Sequence, residues 1–256
     1  MDKEVKTNIE DPQLASEGPE VLKTGDTPLV QVHKTLRVNP VRAGYIDQST
    51  VSFHYYNSFN YSLLADQKHN VHLTLGVTSA NRGEGKTLAA SNLAVSLTLG
   101  YQRKTVLVDL NFGRPCVHKI FGAPLGPGLL DALKGGTIHV SPTVMENLFV
   151  LPAGQLKNNV SVKGKKRTST PIGVEHTADF GEVIHSLEQE YDFVIVDMPA
   201  VNMREFPILF INQLEGVFVV IEQGKTKRND IEKMFHHLNK QQVLGFVFNR
   251  VKDDSD

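Results

Sequence analysis

A glycine-rich turn set between an apolar run and a helix-forming run fixes what this chain can fold into. The turn, Thr78-Ser79-Ala80-Asn81-Arg82-Gly83-Glu84-Gly85-Lys86-Thr87, follows the run Val71 to Val77 and precedes Leu88 to Leu99. Strand, tight loop and helix in that order make a phosphate cradle. Gly83 and Gly85 let the backbone turn and aim successive N–H groups at an anion, which then lies on the positive end of the helix. Lys86 adds a charge within reach of the β- and γ-phosphates, and the Thr87 hydroxyl is placed to hold magnesium. Nucleotide-binding residues are therefore expected at Gly83, Glu84, Gly85, Lys86, Thr87 and Leu88. The pattern departs from the general phosphate-loop form at its first glycine, where the chain has Ala80.

The remainder of the chain suits an α/β protein. Thr105 to Asp109, Leu148 to Leu151, Asp192 to Asp197, Val217 to Ile221 and Val243 to Phe248 are short apolar runs of the kind that form strands covered on both faces. Between them Leu129 to Leu133, Phe180 to Glu190, Arg204 to Leu214 and Lys227 to Lys240 read as helices. Such alternation predicts a doubly wound, mainly parallel sheet with helices on both faces and the ligand at the carboxyl ends of the strands. Two strands end in acids there, Asp109 and Asp197, each closing an apolar run that has no reason of its own to end in a charge. Beside a phosphate loop, one such aspartate holds magnesium and another orients or deprotonates a nucleophile. Lys86, Asp109 and Asp197 are the expected catalytic set, and Thr87, Asp109 and Asp197 the expected magnesium set.

Composition narrows the class. Among 256 residues the net charge is −1, which argues against a nucleic-acid partner. The single cysteine, Cys116, suits a reducing cytoplasm and reads as a small buried residue rather than a nucleophile. No run approaches the ~20 apolar residues of a membrane span, so membrane association is expected to come through a partner. Residues 1–28 lack apolar periodicity and read as a disordered tail, and 29–50 as an extended lead-in to a nucleotide-binding domain over 51–256. Within Val51 to Ala65 the residues Tyr56, Phe59 and Leu63 recur at helical spacing and predict a short helix with an aromatic face. The run Lys163 to Arg167, within the polar stretch 155–176, reads as an exposed basic insertion.

In motif content and order, residues 52–252 resemble the bacterial tyrosine kinases (BY-kinases) of capsule and exopolysaccharide synthesis, relatives of the MinD/ParA ATPases. The loop with Ser91-Asn92-Leu93-Ala94 is similar to the family's Walker A segment and following helix. Asp109-Leu110-Asn111-Phe112-Gly113-Arg114-Pro115 with His118 and Phe121 is similar to its Walker A′ segment. Gly128 to Leu133 and Leu151-Pro152-Ala153-Gly154 also match, Tyr191 to Pro199 resembles its Walker B, and Gly245 to Val251 resembles the strand whose asparagine, here Asn249, contacts adenine. The resemblance implies ATP and magnesium as cofactors. It also implies a location at the inner face of the membrane, on a polysaccharide co-polymerase.

Departures shape the functional expectation. Where the family has D-x-D, this chain has Asp109-Leu110-Asn111, and Asn111 lacks the charge that would hold magnesium or favour proton removal. The proline preceding the family's G-x-G-K is replaced by Arg82. The charged E-x-x-R-x-x-R helix that joins family subunits into a ring is replaced by His54, Asn57 and Asn60, and no tyrosine follows Tyr191 where the family has an acceptor tail. These features predict an ATP-binding regulator of exopolysaccharide polymerisation or export, a weakened kinase or pseudokinase. The alternatives are an active autokinase with acceptors such as Tyr55, Tyr56 or Tyr61, and a MinD/ParA-like positioning ATPase.

Overall fold

In the computed structural model the described residues are 20–21, 30–32, 72–155, 172–203 and 206–251. The predicted aromatic helix over 51–65 and the basic insertion at 163–167 lie outside them. Among the described residues nine strands form one sheet: β1 (Glu20–Val21), β2 (Val30–Val32), β3 (Leu73–Ser79), β4 (Thr105–Asp109), β5 (Ile138–Pro142), β6 (Leu148–Leu151), β7 (Phe193–Asp197), β8 (Gly216–Glu222) and β9 (Val243–Asn249). Their order across the sheet is β1-β2-β5-β6-β4-β7-β3-β8-β9. Pairing is parallel except between β1 and β2 and between β5 and β6.

Alternation along the central strands divides the apolar side chains into two layers, because successive residues of a strand point to opposite faces. Val106, Val108, Val194, Val196, Val217 and Val219 pack on one face with α3 (Leu129–Ala132), α4 (Thr177–Glu190) and α5 (Arg228–Met234). Leu75, Val77, Leu107, Ile195, Phe218 and Val220 pack on the other with α1 (Lys86–Tyr101) and α2 (Val117–Phe121). Two covered faces are what the unbroken apolar runs required. The edge strand β9 differs, since Phe246 and Phe248 remain 43% and 64% exposed.

Helix α1 lies flat on the sheet because its buried residues are mostly small: Ala89, Ala90, Ser91, Ala94 and Ser96 alternate with Leu93, Val95 and Leu97. The hydroxyls this buries are satisfied within the helix, Ser91 Oγ donating to the Thr87 carbonyl at 2.8 Å and Thr98 Oγ1 to the Ala94 carbonyl at 2.8 Å. In α4 the buried positions Phe180, Val183, Ile184 and Leu187 follow helical spacing and face the sheet.

Two predicted helices are shorter than expected. Of the expected helix Arg204 to Leu214, the described residues 206–214 form a 3-10 turn at Ile208–Gln213, starting after Pro207, whose ring removes a backbone donor and restricts the residue before it. In Lys227 to Lys240 the helix ends at Met234 and the chain passes through turns to a second 3-10 segment at Lys240–Gln242, capped by the Asn239 side chain on the Gln241 N–H. The strand β5 and the five-residue helix α2 have too little periodicity to be read from sequence. The strands β1 and β2 fall in the stretches expected to be tail and lead-in, where backbone pairing at a sheet edge needs no apolar pattern.

Phe180 on α4 stacks on Phe210 of the Ile208–Gln213 turn with centroids 4.4 Å apart. That stack fixes the segment following β7. Phe180→Ala should destabilise the protein by about 3–5 kcal/mol, read as a lower denaturation midpoint at unchanged slope in urea.

Candidate active site

The loop geometry explains which of its glycines are needed. Gly83 and Gly85 have φ of 84° and 93°, in the left-handed region, whereas Ala80 does not have positive φ. Ala80 is fully buried and its carbonyl accepts the Asn202 N–H at 3.1 Å. The missing first glycine is therefore no loss to the turn. Residues 198–202 run alongside the end of β3, with Met198 N–H on the Val77 carbonyl, Val201 N–H on that of Ser79, and Thr78 Oγ1 donating to the Pro199 carbonyl at 2.7 Å. This pins the loop to the strand that carries Asp197.

Helix α1 starts at Lys86 with Gly85 as its N-cap, and no side chain caps it and no acid lies in its first turn. Its first N–H groups are thus left to an anion. Leu88, in that turn, is 41% exposed, so its backbone and not its side chain is what could serve the anion. Arg82, Gly83 and Lys86 line a cleft of about 250 Å³ with Asn111, Gly113 and Arg114, walled by apolar groups including Ile172, Met203 and Pro207. Arg82, which stands where the family has proline, is among the residues that line this cleft.

Asp109 and Asp197 are paired in register at the ends of adjacent strands and are both fully buried. Adjacent strands lie ~4.8 Å apart, so the two carboxyls repel. Burial pushes the Asp109 carboxyl up to about 7, with the charge of Asp197 adding to it, even though three N–H groups oppose the shift. Burial likewise raises Asp197 to about 6, against the lowering influence of Lys86 and Thr87. Asp109 Oδ1 accepts the Asn111 N–H at 3.0 Å, and its Oδ2 accepts those of Cys116 at 3.0 Å and Val117 at 3.2 Å. It therefore closes the Walker A′ loop and caps α2. Asp197 Oδ2 accepts the Thr87 hydroxyl at 2.7 Å, and its Oδ1 is buried with no partner.

That orphaned oxygen bears on the implied metal. An unpaired carboxylate oxygen at full burial is costly unless a cation meets it, and the Thr87 hydroxyl touches the same carboxylate. The residues fit a hard cation, with Asp197 and Thr87 better disposed to hold it than Asp109, whose oxygens are occupied by backbone donors. Cys116 is half-buried, a correction to its expected full burial, and desolvation with the two aspartates raises its thiol, which disfavours a nucleophilic role.

Glu84 and Asn249 occupy places the sequence did not suggest. Glu84 is 1% exposed. Its Oε2 accepts the Asn81 N–H at 2.8 Å, and its Oε1 accepts the Thr226 hydroxyl at 2.6 Å and the Asn81 amide at 3.3 Å. Asn249 Nδ2 donates to the Glu84 carbonyl at 2.9 Å and its Oδ1 accepts the Arg250 N–H at 3.0 Å. A Cβ on Gly85 would collide with the Asn249 amide. Both side chains thus fasten the loop in this structure. Thr226, 142 residues from Glu84, carried no sequence signal.

The raised carboxyls give a pH dependence of defined sign. Between about pH 4 and 7 the folded protein holds protons at Asp109 and Asp197 that the unfolded chain has released, so stability from these groups is present at acid pH and lost as pH rises. In metal-free buffer, thermal unfolding of Asp197→Asn should show a shallower decline across that range than the wild type. Equal slopes would contradict a buried, coupled pair.

No family model matches the chain. It is 27% identical over 207 residues, 78% of this chain and 82% of the relative, to the tyrosine-protein kinase CpsD of Streptococcus agalactiae serotype III. It is 28% identical over 181 residues, 69% and 71% of the two chains, to the tyrosine-protein kinase YwqD of Bacillus subtilis. Among solved structures, the chimerical protein CapA2B2 superposes with a TM-score of 0.67 at 22% identity, covering 85% of this chain and 93% of that one. The septum site-determining protein MinD of Pyrococcus horikoshii, complexed with Mg-ADP, superposes with a TM-score of 0.52 at 24% identity over 69% of each chain. The structural likenesses show the P-loop α/β fold, and the sequence likeness across most of the chain is to proteins named as tyrosine-protein kinases.

Proposed function

We propose that the protein binds ATP with magnesium in the cleft beside Lys86 and acts as a nucleotide-dependent regulator of exopolysaccharide polymerisation or export, docked on a membrane co-polymerase and with weakened or no kinase activity. The observation that carries this reading is the conjunction of Thr87 on Asp197, the unpartnered Asp197 Oδ1 and the uncapped N-terminus of α1 around one cationic cleft. A magnesium ion bound there would neutralise phosphate charge. The chain's own part is separable. Lys86 and the first-turn N–H groups bind the phosphates, Thr87 and Asp197 fix the cation's position, and Asp109 keeps the Walker A′ loop folded against the cleft.

Asn111 supports the weakened reading. It lines the cleft and donates its N–H to Asp109, so the loop keeps its shape while the side chain offers an amide where the family's second carboxylate would stand. An amide is a poor proton acceptor and brings no charge to a metal. The buried Tyr191, 4% exposed and packed edge-on against Phe149, is no accessible phosphate acceptor. Among the described residues no helix is long and apolar enough to cross a membrane.

The test is binding and turnover measured together on the purified protein with magnesium and ATP. Wild type should bind with little turnover and no phosphotyrosine. Lys86→Ala, which loses a charged contact of about 1.5–3 kcal/mol, should bind roughly ten- to a hundredfold more weakly. Asn111→Asp should raise turnover. Phosphotyrosine on the wild-type protein would overturn the weakened-kinase reading, and equal binding by Lys86→Ala would overturn the cleft as the nucleotide site.

A further inference from the structure

The geometry points to Thr226 as the residue that positions the phosphate loop, acting through Glu84 from the turn after the neighbouring strand β8. This inference rests on the cleft being the nucleotide site and identifies what sets its shape. Glu84 lies between the two glycines at positive φ, the part of the loop with the widest conformational choice. A loop free to vary there loses the alignment of its N–H groups, so something must restrict it. Glu84 is held at three points: by Asn81 within the loop, by the Thr226 hydroxyl on its carboxylate, and by the Asn249 amide on its carbonyl.

Thr226 has one hydroxyl proton and no freedom in where to send it. Its Oγ1 accepts the Glu222 N–H at 3.0 Å, and its own N–H reaches the Glu222 carbonyl at 3.0 Å. With the oxygen fixed by the turn after β8, the proton goes to Glu84 Oε1 at 2.6 Å, the short length of a hydroxyl on a carboxylate. The turn is itself braced. Glu222, at the end of β8, pairs with Lys225 at 2.9 Å and with Arg250, just past β9, at 2.6 Å. The ends of β8 and β9 therefore form a jaw, with the Thr226 hydroxyl on the Glu84 carboxylate and the Asn249 side-chain amide on the Glu84 backbone carbonyl. Asn249 is placed for this task, with its Nδ2 on the Glu84 carbonyl and its Oδ1 on the Arg250 N–H, so it serves as a positioning group for the loop.

Thr226 separates the roles cleanly, because Asn249 is also the residue that the family resemblance places at adenine. Valine has the shape of threonine without the proton, and serine keeps the proton. Two measurements serve: magnesium-ATP affinity, and amide hydrogen exchange of residues 81–85 in the nucleotide-free protein. Thr226→Val, which removes the hydroxyl from Glu84 and also leaves the Glu222 N–H without its side-chain acceptor, should exchange faster across the loop by about tenfold or more and bind about tenfold more weakly. Its global unfolding midpoint should stay near that of wild type, and Thr226→Ser should restore both readouts. The exchange measurement needs no ligand, so it judges the clamp even if wild type fails to bind ATP, an outcome that would instead sink the nucleotide site. Unchanged loop exchange in Thr226→Val, or a serine variant no better than valine, would overturn the assignment.

Discussion

Two carboxylates buried side by side at the ends of β4 and β7 are the constraint on which the site depends. Each is costly to bury in an apolar sheet, and the charge of Asp197 raises the affinity of Asp109 for a proton. The surrounding chain responds with donors: the N–H groups of Asn111, Cys116 and Val117 on Asp109, and the Thr87 hydroxyl with the Lys86 charge on Asp197. Those donors come from the Walker A′ loop, the start of α2 and the start of α1, so the same electrostatic demand that makes the pair costly also draws the phosphate loop and the Walker A′ loop together. One oxygen, Asp197 Oδ1, is left over. Under the proposed function, that oxygen is where a cation and its accompanying anion would be held.

Much of the fold was legible because its central strands are covered on both faces. Thr105 to Asp109 and Leu148 to Leu151 appear in the structure with the bounds their apolar runs implied, since a strand buried on both sides ends where the apolar residues end. Elements whose limits are set by single backbone events were not legible in that way. Pro207 turns the segment expected to be helical into a 3-10 turn, and the last helix stops at Met234 although its apolar residues continue to Leu238, which is buried from a turn. Edge pairing of β1 and β2 depends on backbone groups that no side-chain pattern reports.

In the site, what could be read was chemistry attached to local geometry: glycines, a lysine and a threonine in a loop, and acids at strand ends. The structure places Lys86, Thr87, Asp109 and Asp197 at one end of the sheet, as strand order alone would require once β3, β4 and β7 are neighbours. What escaped was the work of groups distant in sequence. Glu84 read as a ligand contact because it sits inside the motif, yet burial gives its carboxylate to Asn81 and Thr226. Asn249 read as a base contact, yet its amide spans Glu84 and Arg250.

Shape and chemistry come apart at Asn111, and the reason is which atoms each depends on. The Walker A′ loop is held by the backbone N–H of residue 111 on Asp109, a contact that any residue but proline supplies. Negative charge at that position depends on the side chain alone. Aspartate and asparagine at this position can therefore differ in metal or base function without any difference in the fold around them, so a likeness in fold to proteins named as kinases does not by itself carry phosphoryl transfer. The same division holds at Ala80, where the backbone carbonyl does the structural work and the absent glycine is not missed.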